Sequence, residues 1–146
     1  MAVSAVYADP GLERLGEGKR YFIRTMGCQM NEHDTEIMKG LLSRMGYAEA
    51  PDMESADLVL FNTCSVRENP ERRVYGQLGL LKLVKDRRPG MLIGVCGCMP
   101  QSRQERQRIV EQLPHVDLVF GTKNIHRLPY LIQQAITTGR QVVEVW

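Results

Sequence analysis

Four short apolar runs recur along the chain, each followed by a segment of helical periodicity, and this alternation most constrains the fold. The runs are Tyr21-Phe22-Ile23, Asp57-Leu58-Val59-Leu60-Phe61, Met91-Leu92-Ile93-Gly94-Val95 and Val116-Asp117-Leu118-Val119-Phe120. Runs without a polar alternate are expected of strands covered on both faces. After the first run, Ile37, Met38, Leu41, Leu42 and Met45 share one helical face, closed by Gly46. Asn69-Pro70-Glu71 reads as an N-cap, a first helical proline and an acid in the first turn. That helix carries Val74, Leu78, Leu81 and Val84, and Pro89-Gly90 ends it. Ser102 and Glu105 have capping-box spacing and open a third helix with Ile109, Val110 and Leu113. A last helix carries Leu128, Leu131, Ile132, Ala135 and Ile136 up to Gly139, and 142–145 reads as a further strand or an exit segment.

Strands alternating with helices predict an α/β fold: an open, mostly parallel sheet of 4–5 strands with helices on both faces, flavodoxin-like or Rossmann-like. Right-handed crossovers would wind it doubly. Residues 1–19, with Pro10, Gly11, Gly16 and Gly18, read as a flexible leader, and 20–146 as one domain. The 146 residues suffice to bury a core without disulfide staples, and 19 Lys+Arg against 17 Asp+Glu leave a net charge of only +2. No apolar run approaches the roughly 20 residues of a membrane helix, and the N-terminus lacks the pattern of a secretory signal. A cytoplasmic protein with no membrane partner is expected.

Cys28, Cys64 and Cys98 follow the first, second and third strands, 36 and 34 residues apart. In a parallel sheet these turns share the carboxyl edge, where open α/β sheets build ligand sites. Each turn leads into a helix N-terminus, whose dipole and unpaired N–H groups stabilise thiolate. Three thiolates at one edge point to a shared metal centre. A zinc would complete four ligands with Cys96 or a histidine, His33 being the best placed and His115 and His126 read as solvated. An iron–sulfur cluster usually takes four cysteines, so three would leave one iron open. Cys96, still within its strand, reads as a small buried hydrophobe, with fourth-ligand status left open.

Competing site types find no support. There is no G-x-G-x-x-G, no P-loop and no C-x-x-C. A phosphatase loop needs Arg six residues after its cysteine, where this chain has Asp34, Pro70 and Gln104. Charge is uneven: residues 31–60 carry a net −5 and residues 65–110 a net +6. A basic face can hold RNA phosphates, but solvated helix faces routinely give such runs and no RNA-binding motif accompanies this one.

Three motifs, Thr25-Met26-Gly27-Cys28-Gln29-Met30-Asn31, Asn62-Thr63-Cys64-Ser65-Val66-Arg67-Glu68 and Gly97-Cys98-Met99-Pro100-Gln101, resemble those of the methylthiotransferase N-terminal domain of radical S-adenosylmethionine enzymes. Gln77-Leu78-Gly79 and Val116-Asp117-Leu118-Val119-Phe120-Gly121 are most similar to the branch acting on isopentenyl-adenosine in tRNA. The match runs from about Tyr21 to Ile132. The resemblance implies that Cys28, Cys64 and Cys98 ligate an auxiliary [4Fe–4S] cluster whose open iron carries the sulfur for methylthiolation of adenine C2. It implies no ligand role for Cys96. The family's second [4Fe–4S] cluster and S-adenosylmethionine belong to a radical-SAM domain whose C-x-x-x-C-x-x-C motif is absent here, as is a C-terminal RNA-binding domain. The fragment alone is therefore expected to be inactive, with tRNA the substrate of the longer enzyme. The competing expectation is a non-catalytic, zinc-holding or thiol-bearing α/β binding module.

Overall fold

The computed structural model describes residues 14–26, 29–63 and 68–146, with the backbone alone at 68–71. Six parallel strands form one open sheet: β1 Arg20–Thr25, β2 Ala48–Glu49, β3 Leu58–Thr63, β4 Leu92–Gly97, β5 Leu118–Phe120 and β6 Val142–Glu144, in the order β2-β1-β3-β4-β5-β6. The helices are α1 Gln29–Arg44, α2 Glu68–Arg87, α3 Arg103–Gln112 and α4 Leu128–Thr138, with 3-10 turns at Met99–Gln101 and Thr122–Arg127. The α/β parallel sandwich is as expected, and the two-residue β2 adds a sixth strand that Ala48-Glu49 is too short to announce.

Each apolar run divides its side chains between two cores. Leu58 and Leu60 of β3, with Leu118 and Phe120 of β5, face Met38, Leu41 and Leu42 of α1 and Leu128, Leu131 and Ile132 of α4. Val59 and Phe61, with Ile93, Val95 and Val119, face Val74, Leu78 and Leu81 of α2 and Ile109 of α3. Period-two alternation thus buries both sides of every central strand. Burying a large aliphatic side chain stabilises by about 1.5–3 kcal/mol, so these two layers carry most of the fold.

Local signals hold at several boundaries. The Ser102 hydroxyl accepts from the Glu105 N–H at 3.4 Å to cap α3, and Gly139 ends α4 in the left-handed region at φ 65°. The last connection departs from the expected hand. Helices α2 and α3 carry the chain outward across one face, whereas α4 carries it in the same direction across the other, so β5–α4–β6 winds oppositely to the two connections before it. The Thr122–Arg127 turn makes the crossing, and its Ile125 joins the α1-side core. Residues 1–13 of the anticipated leader lie outside the described residues. Residues 14–18 form a turn whose Gly16 N–H donates to the Met45 carbonyl at 2.9 Å, with Leu15 packed on the α1-side core.

Candidate metal centre at the carboxyl edge

Strand order decides what the site can be. β1, β3 and β4, which precede the three candidate cysteines, are immediate neighbours in the sheet. Parallel strands lie about 4.8 Å apart. Thr63 and Gly97 are register partners, so the chain leaves β3 towards Cys64 and β4 towards Cys98 at one level. Thr25, three residues before Cys28, pairs with Asn62. Between β1 and β3 the connections diverge to opposite ends of the sheet, a topological switch point of the kind that opens a ligand crevice. Cys28 and Cys64 themselves lie outside the described residues. Among the described residues, no three His, Cys, Asp or Glu side chains converge as a metal-binding group.

Cys98 is half-buried at this edge. Its N–H donates to the Thr63 carbonyl at 3.0 Å, and its own carbonyl accepts from the Gln101 N–H at 3.1 Å. The residue before it sets this geometry. Gly97 has φ 93°, and a Cβ there would come within 2.7 Å of Asn62 Oδ1 and collide with the Thr63 backbone. Cys98 already has helical dihedrals (φ −77°, ψ −29°) and opens the Met99–Gln101 turn.

Cys96 occupies a different place. It is 0% exposed, belongs to the core under α1 and lies 3.9 Å from Met38 Sδ. Burial, with a smaller contribution from Asp34, pushes its thiol well above the usual range and keeps it neutral. His33 is exposed on α1 and lines an open groove of about 550 Å³ with Thr25, Gln29 and Glu36. His126 is exposed, but His115 is half-buried, with Nε2 2.7 Å from the Leu78 carbonyl, which corrects its reading as solvated.

The residues that sequence reasoning missed are polar and buried. Asn31, Thr35, Asn62 and Thr63 are nearly inaccessible at the junction of β1, β3, β4 and α1. Asn62 Nδ2 donates to the Asn31 carbonyl at 2.7 Å and to Thr35 Oγ1 at 2.9 Å. Asn31 Nδ2 donates to the Thr63 carbonyl at 2.7 Å and to Asn62 Oδ1 at 3.2 Å. The Thr25 and Thr35 hydroxyls meet at 2.8 Å, and Thr63 Oγ1 donates to the Cys96 carbonyl at 2.6 Å. All four amide hydrogens of the two asparagines are therefore used. This network ties the start of α1 to the ends of three strands. Its signal in the sequence is Asn62-Thr63, polar residues closing an otherwise apolar strand, and Asn31 three residues after Cys28.

The donor set and its placement fit a thiolate-ligated cluster. One cysteine sits half-buried at the edge, two more follow adjacent strand ends in sequence, and the supporting shell is fully hydrogen-bonded.

Residues 20–121 match the family described as "Uncharacterized protein family UPF0004". The chain is 52% identical over 135 residues to the tRNA-2-methylthio-N(6)-dimethylallyladenosine synthase of Oceanobacillus iheyensis, a match covering 92% of this chain and 26% of that relative. It is 53% identical over 131 residues to the protein of the same name in Bacillus cereus, covering 90% and 26%. With the one in Bacillus cytotoxicus it shares 52% identity over 131 residues, again covering 90% and 26%. The chain spans about a quarter of the length of these curated relatives.

Proposed function

The chain belongs to the UPF0004 family, and on that premise we propose that residues 20–146 form the N-terminal domain of a tRNA methylthiotransferase, with Cys28, Cys64 and Cys98 holding an auxiliary [4Fe–4S] cluster. The observation that supports this reading is the adjacency of β1, β3 and β4, three strands that are each followed in sequence by one of these cysteines. The names of the relatives supply the reaction class, methylthiolation of an N6-dimethylallyl-adenosine in tRNA. Such a cluster, when bound, offers an iron with an open position for the sulfur to be transferred.

The roles of this chain's own residues follow from their geometry. Gly97 lets the backbone turn at the end of β4 and brings Cys98 to the rim. The Thr63 carbonyl accepts from both the Cys98 N–H and Asn31 Nδ2, which joins the end of β3 to Cys98 and to α1. Cys96, neutral and packed on Met38, contributes to the core and leaves ligation to the other three. The second [4Fe–4S] cluster, S-adenosylmethionine and an RNA-binding domain belong, on this reading, to the remainder of a longer cytoplasmic enzyme, and this domain alone is inactive. No helix among the described residues is long and apolar enough to cross a membrane.

The test is iron, zinc and acid-labile sulfide content after anaerobic reconstitution, with a visible spectrum. Roughly four irons and four sulfides per chain, lost in Cys98→Ala but kept in Cys96→Ala, are expected. Stoichiometric zinc without sulfide would overturn the cluster and make this a structural metal module.

A further inference from the structure

The helix starts on the two faces of the sheet differ in charge: the first two turns of α1 carry three acids and no Lys or Arg, whereas α2 sets Arg72 and Arg73 against Glu68 and Glu71, and α3 starts with three arginines against Glu105. On one side α1 presents Glu32, Asp34 and Glu36 in its first two turns, and its Lys39 is engaged by Glu49 at 3.7 Å. On the other side α2 and α3 begin at the same edge, because they follow β3 and β4. There Arg72, Arg73, Arg103 and Arg108 are all exposed. None takes part in the ion pairs formed among the described residues, which use Lys39, Lys85, Arg88 and Arg127.

These arginines come from segments about 30 residues apart, and the fold gathers them. The Tyr75 hydroxyl on α2 is 2.5 Å from Glu105 Oε2 on α3, and the Arg108 guanidinium lies 4.3 Å from the centre of the Tyr75 ring. This arrangement locks the two helix starts together. It also engages Glu105, three residues before Arg108, with a hydroxyl instead of a cation, and Glu111, three residues after Arg108, accepts from Gln107 Nε2 at 3.0 Å. Arg72 precedes Tyr75 by one helical turn, and Arg103 opens α3. Arg106, by contrast, is committed to the Pro100 carbonyl at 2.8 Å. Four exposed guanidiniums thus lie in the first two turns of the two helices that begin at the cysteine edge on this face, none of them ion-paired among the described residues.

We propose that the α2–α3 rim formed by Arg72, Arg73, Arg103 and Arg108 is a docking surface for the RNA backbone, so that the substrate strand approaches the cysteine edge from the α2–α3 face and not over α1. The inference rests on the proposed tRNA-modifying function. Phosphates are attracted to guanidiniums that no carboxylate has neutralised, and the acids of α1 repel them from the other side. Charge asymmetry across one edge thereby orients the nucleic acid without any base readout.

The experiment measures binding of this chain to a fluorescently labelled tRNA transcript over a salt series, by anisotropy. Removing rim arginines singly to glutamine (Arg72→Gln, Arg103→Gln, Arg108→Gln) should weaken binding, with the slope of log affinity against log salt falling by about 0.7–0.9 for each phosphate left unneutralised. Arg103→Lys should restore most of the affinity, and Glu32→Gln with Glu36→Gln should not weaken it. Lys82→Gln with Arg87→Gln, at the far end of α2, serves as the positional control. Equal weakening by the control and by the rim variants would overturn the placement, as would a chain that does not bind the transcript at low salt. A chain that ignores RNA but forms a dimer split by Leu80→Glu, at an exposed leucine of α2, would overturn the proposal and assign the α2 surface to protein association instead. Circular dichroism of each variant separates misfolding from a specific loss of RNA affinity. Iron and sulfide content of the same preparations reads the cluster independently: RNA binding without iron uptake would sink the cluster proposal and leave this one standing.

Discussion

Cys96 and Cys98 stand two residues apart on the same segment, yet one belongs to the interior of the sheet and the other to its rim. In a continuous strand, residues i and i+2 point to the same face. Here Cys96 obeys β4 and enters the α1-side core, whereas Cys98 has left the strand. The difference arises at Gly97, whose positive φ breaks the alternation where β4 meets Thr63 and Asn62. Identical thiols therefore acquire different chemistry. The interior one is held neutral by burial, and the rim one lies at the helix-forming edge where open α/β sheets act on ligands.

The strongest way to break this contrast is to remove its pivot. Gly97→Ala adds a Cβ against Asn62 and the Thr63 backbone and forces a left-handed φ on an L-residue. A loss of about 3 kcal/mol or more is expected in urea unfolding. A loss under about 1 kcal/mol would show that the edge tolerates another turn and that Gly97 is not the pivot.

Next in size is the polar shell beneath the rim. Asn62→Ala removes the acceptor of one Asn31 amide hydrogen and the two bonds donated from a fully buried position to the Asn31 carbonyl and the Thr35 hydroxyl, which keeps its contact with Thr25. Destabilisation of about 2–4 kcal/mol is expected. Because the network reaches Cys98 through the Thr63 carbonyl, reconstituted iron should fall even at temperatures where the variant remains folded. Iron uptake unchanged in a folded Asn62→Ala protein would mean that the shell serves the core alone.

The smallest effect comes from the interior thiol itself. Cys96→Ala should cost under about 1.5 kcal/mol, since alanine nearly fills the space of a buried thiol. In the protein without metal, alkylation mapped by mass spectrometry at about pH 8, just below the usual thiol range, should modify Cys98 and spare Cys96 until denaturant is added. The sign of the pH effect follows from the raised value of the buried thiol. Its stabilising contribution is complete below the unfolded value near 9.0 and is lost as pH rises past it, because only the unfolded chain then ionises. Wild type should thus lose stability above about pH 9 by more than Cys96→Ala does. Equal alkaline sensitivity of the two would argue that Cys96 is not the group responsible.

Much of the fold is legible in the chain because its signals are local. The runs at 57–61, 91–95 and 116–120 mark strands by composition, Ser102 caps α3 through its own third neighbour, and Gly139 stops α4 through its own backbone freedom. Ala48-Glu49 is not legible, since two residues without a strand signal of their own become a strand only because β1 offers an open edge. Nor is the hand of the last crossover, which follows from Ile125 and Leu128 finding room against α1. The site divides in the same way. The cysteines after three strands are visible as a pattern, but the buried pairing of Asn31 with Asn62 spans 31 residues and leaves no periodic trace.

The sequence by itself determined that strands and helices alternate, that each central strand is covered twice, and that three of its strand-ending turns carry a cysteine. Only the tertiary structure decided that β1, β3 and β4 are neighbours, that Cys96 turns inward while Cys98 reaches the rim, and that Tyr75 of α2 meets Glu105 and Arg108 of α3. The physical reason is that apolar patterning records how deeply a segment is buried but not beside what. Every parallel strand offers the same backbone donors and acceptors to its neighbour, so the order of strands is settled by the packing of both layers together.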